Sequence, residues 1–290
     1  MKRLTLRQAS LFLLGIGLIL AATFATGSPN SASTLQSSVS LHLTLGNPSD
    51  ATTEVTNKNN FLLVQPQFAL SYNNRKGGPN WVAWHLEADD VGDAERCNCF
   101  HPDTELPTGF KRIVTSVYTN TGYERGHLCN SEDRTETDDD NFATFAMTNI
   151  LPQKADNNKG PWVKLENYGR KLAEEGNELY IVAGAFGSKG SFGVTNRKVN
   201  IPRVFWKVLV VLPRGNSDLS RINNSTRTIA VCMPNKNGIR PHDWRRYVAT
   251  VRNIEDATGY DFLSELSTTA QNALETVRDS EATNTGNPCQ

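Results

Sequence analysis

Three apolar segments in the second half of the chain constrain its fold most strongly. They are ELYIVAGAF (178–186), VFWKVLVVL (204–212) and RTIAVCMP (227–234), and all three have the β-branched and aromatic composition of strands. Two earlier segments, WVAWHL (81–86) and RIVTSVYT (112–119), have a similar composition with partial alternation of apolar and polar residues. The sequence therefore predicts at least five strands.

A helix is predicted before the first of the three strong strands. In the segment 157–177 the apolar residues that recur at helical spacing are Trp162, Leu165, Tyr168 and Leu172. Pro161 suits the first turn of a helix and Gly176 suits its end. The pattern predicts a helix from about residue 160 to residue 175.

The order of these elements predicts the fold class. Strands that follow one another with irregularly inserted helices favour an α+β domain, with a central and mostly antiparallel sheet flanked by helices, over a doubly wound sheet. A second amphipathic helix is predicted over 263–278, and residues 243–259 fit a strand or a helix. The sequence has no Gly-rich phosphate-binding loop, which disfavours nucleotide-cofactor chemistry.

Residues 1–27 have the features of an export signal, because three basic residues precede an apolar run over 11–22. This run is short for a membrane span, although an uncleaved N-terminal anchor is the alternative. Removal of 1–27 leaves 27 Lys and Arg residues (30 minus 3) against 30 Asp and Glu residues. The processed protein, secreted or periplasmic and free of the membrane, would be slightly acidic, so contact with a polyanion requires a local basic patch.

The remaining chain is predicted to divide into three parts. Residues 28–60 are rich in Ser, Thr and Asn and are expected to form a polar leader or linker, with one short strand from Leu41 to Leu45. The packed domain is predicted over 61–268, and a polar C-terminal tail over 269–290.

The cysteine content predicts one or two disulfides and an unpaired thiol in an exported chain. The five cysteines are Cys97, Cys99, Cys129, Cys232 and Cys289. Their connectivity does not follow from the sequence, and the first pairing we expect is Cys232 with Cys289, which would tie the tail to a strand. The Cys97-x-Cys99 spacing does not suit zinc, since no second pair lies nearby.

One histidine has neighbours that suit catalysis. His127 lies in YERGHLCNSEDR (123–134), beside a glycine and close to Arg125. The other four histidines lie in strand-like runs or next to a proline: His42, His85, His101 and His242. A hydrogen-bonded loop histidine is the simpler interpretation of His127 in isolation. As a base, an imidazole with the ordinary pKa near 6.5 predicts loss of activity below about pH 6.

Oxygen-bearing side chains that suit a hydrated cation follow further along the chain. Asn158 lies at the predicted helix entry, and Glu166 follows eight residues later, a rise of about 12 Å in an ideal helix. One of them would therefore bind an ion directly and the other through water, as magnesium accepts. The alternatives are a helix cap for Asn158, a surface charge for Glu166 and an ordinary i,i+4 pair for Arg170.

Five motifs in order resemble a known family. YERGH, SEDR, TNILPQ, NNKGPWVKLE and ELYIVAGAFG are similar to motifs of the DNA/RNA non-specific endonucleases, and most of all to secreted bacterial sugar-non-specific nucleases of the cyanobacterial kind. The resemblance covers roughly residues 65–265. It implies a ββα-metal (His-Me finger) active site.

The resemblance also implies a role for each matching residue. His127 would be the general base, Asn158 the sole protein ligand of a hydrated Mg²⁺ that Mn²⁺ can replace, and Glu166 a holder of metal-bound waters. Arg125 and Arg96 would face the phosphate, with Arg170 supporting the same face. The implied substrates are DNA and RNA, single or double stranded, cut internally to leave 5'-phosphate ends, and a protein inhibitor is a further candidate partner.

Two positions depart from the family pattern. Residue 124 is Glu where the family usually has Asp, and residues 129–130 are Cys-Asn where a small residue and proline are more common. These departures keep open a catalytically silent descendant that binds nucleic acid or a partner protein. A hydrolase of another phosphodiester is a third hypothesis.

Overall fold

The computed structural model describes residues 40–290, and its largest element is a seven-stranded antiparallel sheet. The strands of the structure are β1 Phe61–Val64, β2 Ala69–Asn73, β3 Gly78–Leu86, β4 Glu124–His127, β5 Ile150–Gln153, β6 Asn177–Phe186, β7 Ser191–Phe192, β8 Val199–Asn200, β9 Val204–Pro213, β10 Arg227–Pro234 and β11 Val248–Ala249. The large sheet has the order β1-β2-β3-β6-β9-β10-β11, while β4 pairs with β5 and β7 with β8.

The helices are short and lie between the strands. The α-helices are α1 Asp138–Thr144, α2 Ala155–Asn157, α3 Val163–Glu174, α4 Asp218–Arg221, α5 Val251–Thr258 and α6 Thr268–Glu275. A π-helical turn, Asn158–Trp162, joins α2 to α3. The 3₁₀ turns are Leu41–Leu43, Ala88–Asp90, Thr115–Tyr118, Ser131–Asp133, Met147–Asn149, Thr195–Arg197 and Trp244–Tyr247.

The central strands are buried on both faces, which explains their nearly continuous apolar sequences. Successive residues of β3 enter opposite cores: Trp84 belongs to the core on one face and Trp81 to the core on the other. Helix α3 covers the first face through Leu165. Helices α5 and α6 cover the second face, through Ile254 and Leu274 respectively.

The strongest sequence predictions are confirmed. The α+β class, the mostly antiparallel sheet and the strands at 81–86, 178–186, 204–212 and 227–234 are all present. The helix predicted from about 160 to 175 matches the end of the π-helical turn and α3. The ambiguous segment 243–259 contains a 3₁₀ turn, β11 and α5, and only residues 268–275 of the helix predicted over 263–278 are helical.

Two strand predictions are wrong. The segment 112–119 forms the 3₁₀ turn Thr115–Tyr118, and Leu41–Leu43 is also a 3₁₀ turn. Both segments have apolar residues that are buried in hydrophobic clusters, such as Leu43 and Tyr118, and neither segment pairs with a strand. A high β-propensity indicates residues that pack well on a half-buried surface. These loops bury such residues without forming a strand.

The packed unit extends beyond both predicted limits of the domain. Leu43, Leu45 and Ala51 are buried in the second core, so residues 40–60 are part of the domain and not a leader or linker. At the other end, 269–290 includes most of α6 and the disulfide between Cys232 and Cys289, which confirms the pairing expected from the sequence. A few apolar residues scattered through a polar segment show no helical or strand periodicity. Both segments were therefore predicted to be solvated chain from their polar composition.

The second disulfide joins Cys97 to Cys99, and Cys129 is a free, buried cysteine. The predicted signal over 1–27 lies outside the described residues. Within 40–290, no helix has both the length and the apolar character that crossing a membrane requires.

Candidate active site

A two-stranded ribbon followed by a broken helix forms one wall of a polar cleft. Strand β4 pairs antiparallel with β5, with Glu124 opposite Gln153 and His127 opposite Ile150. Gly126 is required in this ribbon, because a Cβ at that position would overlap the side chain of Gln153. The chain then continues into α2, the π-helical turn and α3, which gives the order strand, strand, helix.

The break between α2 and α3 is centred on Gly160. Its backbone angles, φ −116° and ψ −117°, are not helical, and a Cβ there would lie 2.7 Å from the Cα of Arg240. The close approach of this neighbouring backbone therefore explains the glycine. Because the helix is broken between Asn158 and Glu166, the ideal-helix rise of about 12 Å expected from the sequence does not describe their separation.

The cleft brings together every site residue predicted from the sequence. One part, of about 400 Å³, is lined by Arg96, Arg125, His127, Asn130, Glu132, Asn158, Lys159, Val163, Glu166, Asn167 and Arg170. A second part, of about 460 Å³, shares four of these residues and continues past Tyr118 and Tyr123. Arg96, Arg125 and Asn158 border both parts, so the two parts meet at the predicted phosphate-facing residues.

His127 is almost fully buried at the bottom of this cleft. Its exposed fraction is 7%, and its ring contacts both Phe100 and Phe145, with centroid distances of 5.3 and 4.8 Å. Nε2 is enclosed by protein and has no hydrogen-bond partner among residues 40–290. Burial, together with the charges of Arg96 and Arg125, lowers the pKa of His127 to about 3. The sequence predicted loss of activity below about pH 6 from an ordinary imidazole. With the lowered pKa of His127, we expect that loss at a more acidic pH.

The arginines of the cleft are held by aromatic and hydroxyl groups. The Arg125 guanidinium lies 4.1 Å from the ring centroid of Phe100. Arg96 lies 4.9 Å from the Phe145 centroid and donates a hydrogen bond to the Ser131 hydroxyl. The same two phenylalanines thus contact both the arginines and the imidazole, which fixes all three groups relative to one another.

Arg170 has a different partner from the one expected. Its Nη1 donates to Oδ1 of Asp133 over 2.7 Å, and its Nη2 donates to Oδ1 of Asn167 over 2.5 Å. The ordinary i,i+4 ion pair with Glu166 is absent from the ion pairs of residues 40–290. Arg170 therefore lines the cleft while it neutralises the buried Asp133 carboxylate.

Glu124 and Lys159 are site residues that the sequence did not identify. Nδ2 of Asn158 donates to Oε2 of Glu124 over 2.7 Å, and the Lys159 ammonium pairs with Oε1 of the same carboxylate. The amide of Asn158 is thus held by its nitrogen, and Oδ1 accepts no hydrogen bond from another residue in the range 40–290. The sequence signal for Glu124 was its departure from the family pattern, because this carboxylate lies next to the candidate arginine Arg125.

Glu166 provides a buried carboxylate on the same cleft. It pairs with the Lys207 ammonium over 3.4 Å, and both side chains are less than a tenth exposed. Burial raises the pKa of Glu166, the Lys207 charge opposes that shift, and the nearby Asp133 carboxylate adds to it. A cation in the cleft would favour the ionised form of this carboxylate.

The donor set fits a hard cation that keeps most of its waters. The cleft offers the Asn158 amide oxygen and the Glu166 carboxylate, both of which are oxygen donors. Among residues 40–290, one group of three or more His, Cys, Asp or Glu side chains lies close enough together to bind a metal ion, and it is the group around Glu255, outside the cleft. Within this range, the cleft therefore has no group of three such ligands. Magnesium keeps several of its waters and binds through one or two protein oxygens, so it suits an open polar cleft with few such ligands.

Cys129 takes no part in the cleft. Its side chain is fully buried in the core, and burial raises the pKa of its thiol far above the usual range. The backbone N–H and C=O of Cys129 bond to the Asn149 side chain over 2.9 and 2.8 Å. The second departure from the family pattern is therefore a packing residue two positions from His127.

The sequence is similar to those of known nucleases. The sequence pattern of the DNA/RNA non-specific endonuclease family matches residues 46–269. A nuclease of Nostoc sp. is 48% identical over 245 residues, which cover 84% of this chain and 88% of that protein. Nuclease C1 of Cunninghamella echinulata is 26% identical over 253 residues, which cover 82% of this chain and 90% of the relative.

A solved structure has the same fold. One chain in the crystal structure of the EndoG/EndoGI complex superposes with a TM-score of 0.65 at 22% sequence identity. The match covers 78% of the present chain and 91% of the solved chain.

The surroundings of His127 predict its protonation state. We expect its ring to stay neutral from pH 8 to pH 5, because both burial and the two arginines disfavour imidazolium. Nitrogen-15 NMR titration of the histidine rings measures this directly, with a His127→Gln variant to assign the signal. Arg125→Gln should move the pKa of His127 toward 6.5. A wild-type pKa already near 6.5 would show that burial and the arginines do not disfavour imidazolium.

Proposed function

This chain belongs to the DNA/RNA non-specific endonuclease family, and we propose that it hydrolyses internal phosphodiester bonds of DNA and RNA with a histidine base and one hydrated Mg²⁺. The observation that supports this mechanism best is the convergence of His127, Asn158 and Glu166 on one arginine-lined cleft.

His127 acts as the general base. Nε2 is enclosed, so Nδ1 is the ring nitrogen that can accept a proton from a water in the cleft. A neutral ring is the form that accepts this proton, and the lowered pKa keeps the ring neutral at physiological pH. Phe100 and Phe145 hold the ring plane, which supplies the orientation that in-line attack requires.

Asn158 and Glu166 hold the metal ion. The Asn158 amide oxygen would be the direct ligand, because the Glu124 carboxylate holds the amide nitrogen, and Glu166 would hold the waters of the ion. When bound, Mg²⁺ neutralises charge on the phosphate and acidifies a water that can protonate the leaving oxygen. Mn²⁺ accepts the same oxygen donors and should replace it.

Arg125 and Arg96 bind the phosphate. Each guanidinium is fixed by a phenylalanine ring, and its planar donors match the oxygens of a phosphate that gains charge during attack. Arg170, which is tied to Asp133, lines the same cleft and supports this phosphate-binding face. These groups form the local basic patch that a slightly acidic protein needs to hold a polyanion.

Recognition through phosphate explains activity on both nucleic acids. Contacts to the phosphate carry no base or sugar information, so single- and double-stranded DNA and RNA are all substrates. We extend to this chain the 5'-phosphate and 3'-hydroxyl ends that the family resemblance implies. Residues 1–27 support export to the periplasm or the medium, and a protein inhibitor that covers the cleft is the partner we propose after nucleic acid.

The two departures from the family pattern do not favour the alternative of a catalytically silent descendant. Glu124 bonds to Asn158, and Cys129 is buried away from the cleft, so both departures are compatible with an intact site. A hydrolase of small phosphodiesters is disfavoured by a cleft that continues past Tyr123. A substrate panel that includes small diesters separates this third hypothesis from the first.

Removal of the base or of the metal ligand should abolish cleavage without unfolding the protein. We expect His127→Ala and Asn158→Ala to lower the rate of plasmid and RNA degradation in Mg²⁺ by about 100-fold or more. EDTA should abolish wild-type activity. Thermal unfolding of each variant provides the folding control, and His101→Ala and Asn196→Ala, which lie outside the cleft lining, provide matched activity controls. Near wild-type turnover in His127→Ala would refute the base assignment.

The Glu124 carboxylate should set the affinity for metal. Because it holds the Asn158 amide, Glu124→Ala should raise the Mg²⁺ concentration needed for half-maximal activity by about 10- to 100-fold. The measurement is the Mg²⁺ dependence of initial rates, with Glu132→Ala on the same cleft as the matched control. An unchanged Mg²⁺ dependence in Glu124→Ala would show that Asn158 is positioned by other contacts.

A further inference from the structure

Three carboxylates meet on the face of the sheet opposite to the catalytic cleft. Glu255 lies in α5, Glu275 is the last residue of α6, and Asp261 lies in the connection between these helices. One carboxylate oxygen from each residue lies within 4.8 Å of those of the other two. The helices pack into the core that contains Trp81, while α3 of the cleft packs into the core that contains Trp84.

Two of these carboxylates are buried and keep an oxygen without a hydrogen bond. Glu275 is fully buried and Glu255 is 8% exposed. Oε1 of Glu275 and Oε2 of Glu255 accept no hydrogen bond from residues 40–290. Oε1 of Glu255 accepts the backbone N–H of Phe262 over 2.9 Å. A buried carboxylate oxygen without a donor is costly, so Oε1 of Glu275 needs a partner, while Oε2 of Glu255 has only an ion-pair contact with Arg252.

The cluster has fewer positive charges than carboxylates. Arg252 donates to Oε2 of Glu275 over 2.6 Å, and its Nη1 lies 3.1 Å from Oε2 of Glu255. One guanidinium therefore faces three carboxylates, and the exposed Asp256 adds a further negative charge near Glu255. The C-terminal end of α6 also carries partial negative charge beside Glu275. The local charge favours a divalent cation.

We propose that Glu255, Asp261 and Glu275 form a Ca²⁺ site separate from the catalytic cleft. Ca²⁺ binds carboxylate oxygens at about 2.3–2.6 Å in flexible geometry, so ligands on opposite sides of the ion lie just under about 5 Å apart. The three carboxylates meet that spacing, and the exposed Asp261 gives the ion a route from solvent and room for waters. Mg²⁺ fits less well because it demands shorter distances and a near-ideal octahedron.

A bound Ca²⁺ would fasten the last helix to the domain. It links α5 to α6 and complements the Cys232–Cys289 disulfide, which holds the chain end beyond α6.

Thermal unfolding at pH 8 with and without Ca²⁺ tests the site. We expect saturating Ca²⁺ to raise the melting temperature by about 5 °C or more in wild type and equally in Asn158→Ala, whose catalytic metal ligand is absent. Glu275→Gln and Asp261→Asn should lose most of that rise. Glu265→Gln, an exposed glutamate between α5 and α6, should keep it. Calorimetric titration of Asn158→Ala with Ca²⁺ should give one site per chain.

The variants also separate the proposal from misfolding. In chelator, Glu275→Gln should be at least as stable as wild type, because it removes a buried like charge, and in saturating Ca²⁺ that order should reverse. Absence of a Ca²⁺-dependent rise in wild type would overturn the proposal. A rise that disappears in Asn158→Ala, or persists in both Glu275→Gln and Asp261→Asn, would place the ion elsewhere and overturn it as well.

Discussion

A buried ion pair between Lys207 and Glu166 ties the cleft to the central sheet. Lys207 lies in β9, is 1% exposed and has its ammonium 4.2 Å from the Trp162 ring centroid. Glu166 comes from α3, the helix that follows the π-helical turn Asn158–Trp162. Loss of one partner from such a pair leaves an uncompensated buried charge, at a cost of about 3–5 kcal/mol. The position of α3, and with it the cleft, depends on this contact.

A second buried pair beside the first completes the charge balance. Asp133 accepts from Arg170 over 2.7 Å and from the Trp84 indole over 3.1 Å. Two carboxylates and two cations thus lie between the sheet and α3, so the group is neutral as a whole. The candidate catalytic groups lie at its edge, where Glu166 is buried and still lines the cleft. Rigid support of this kind holds a site in its productive geometry.

The sequence predicted what periodicity and motif order determine. The long strands of the sheet follow from their composition, and α3 follows from the spacing of Trp162 and Leu165, because these patterns report burial directly. The short ribbon strands β4 and β5 were missed, since four residues with a Gly and a Pro carry no strand signal. Residues 40–60 were missed because a polar segment can pack through a few isolated apolar side chains.

For the site, the motifs identified the residues and the structure supplied their partners. All six predicted residues line one cleft, yet Glu124 and Lys207 became visible only when the fold brought them beside Asn158 and Glu166. These contacts join residues that are 34 and 41 positions apart, and no local pattern encodes them. The pKa of His127 likewise depends on burial by Phe100 and Phe145, which single-sequence reasoning does not contain.

We propose that one hydrated cation binds in the cleft through a single direct protein ligand, Asn158. Anomalous diffraction from crystals grown with Mn²⁺ would locate this ion. We expect a peak in the cleft about 2.1–2.2 Å from Oδ1 of Asn158, with the Glu166 carboxylate more than about 3 Å away and water between them. An ion bound directly by both side chains, or the absence of a peak beside Asn158 at saturating Mn²⁺, would contradict it.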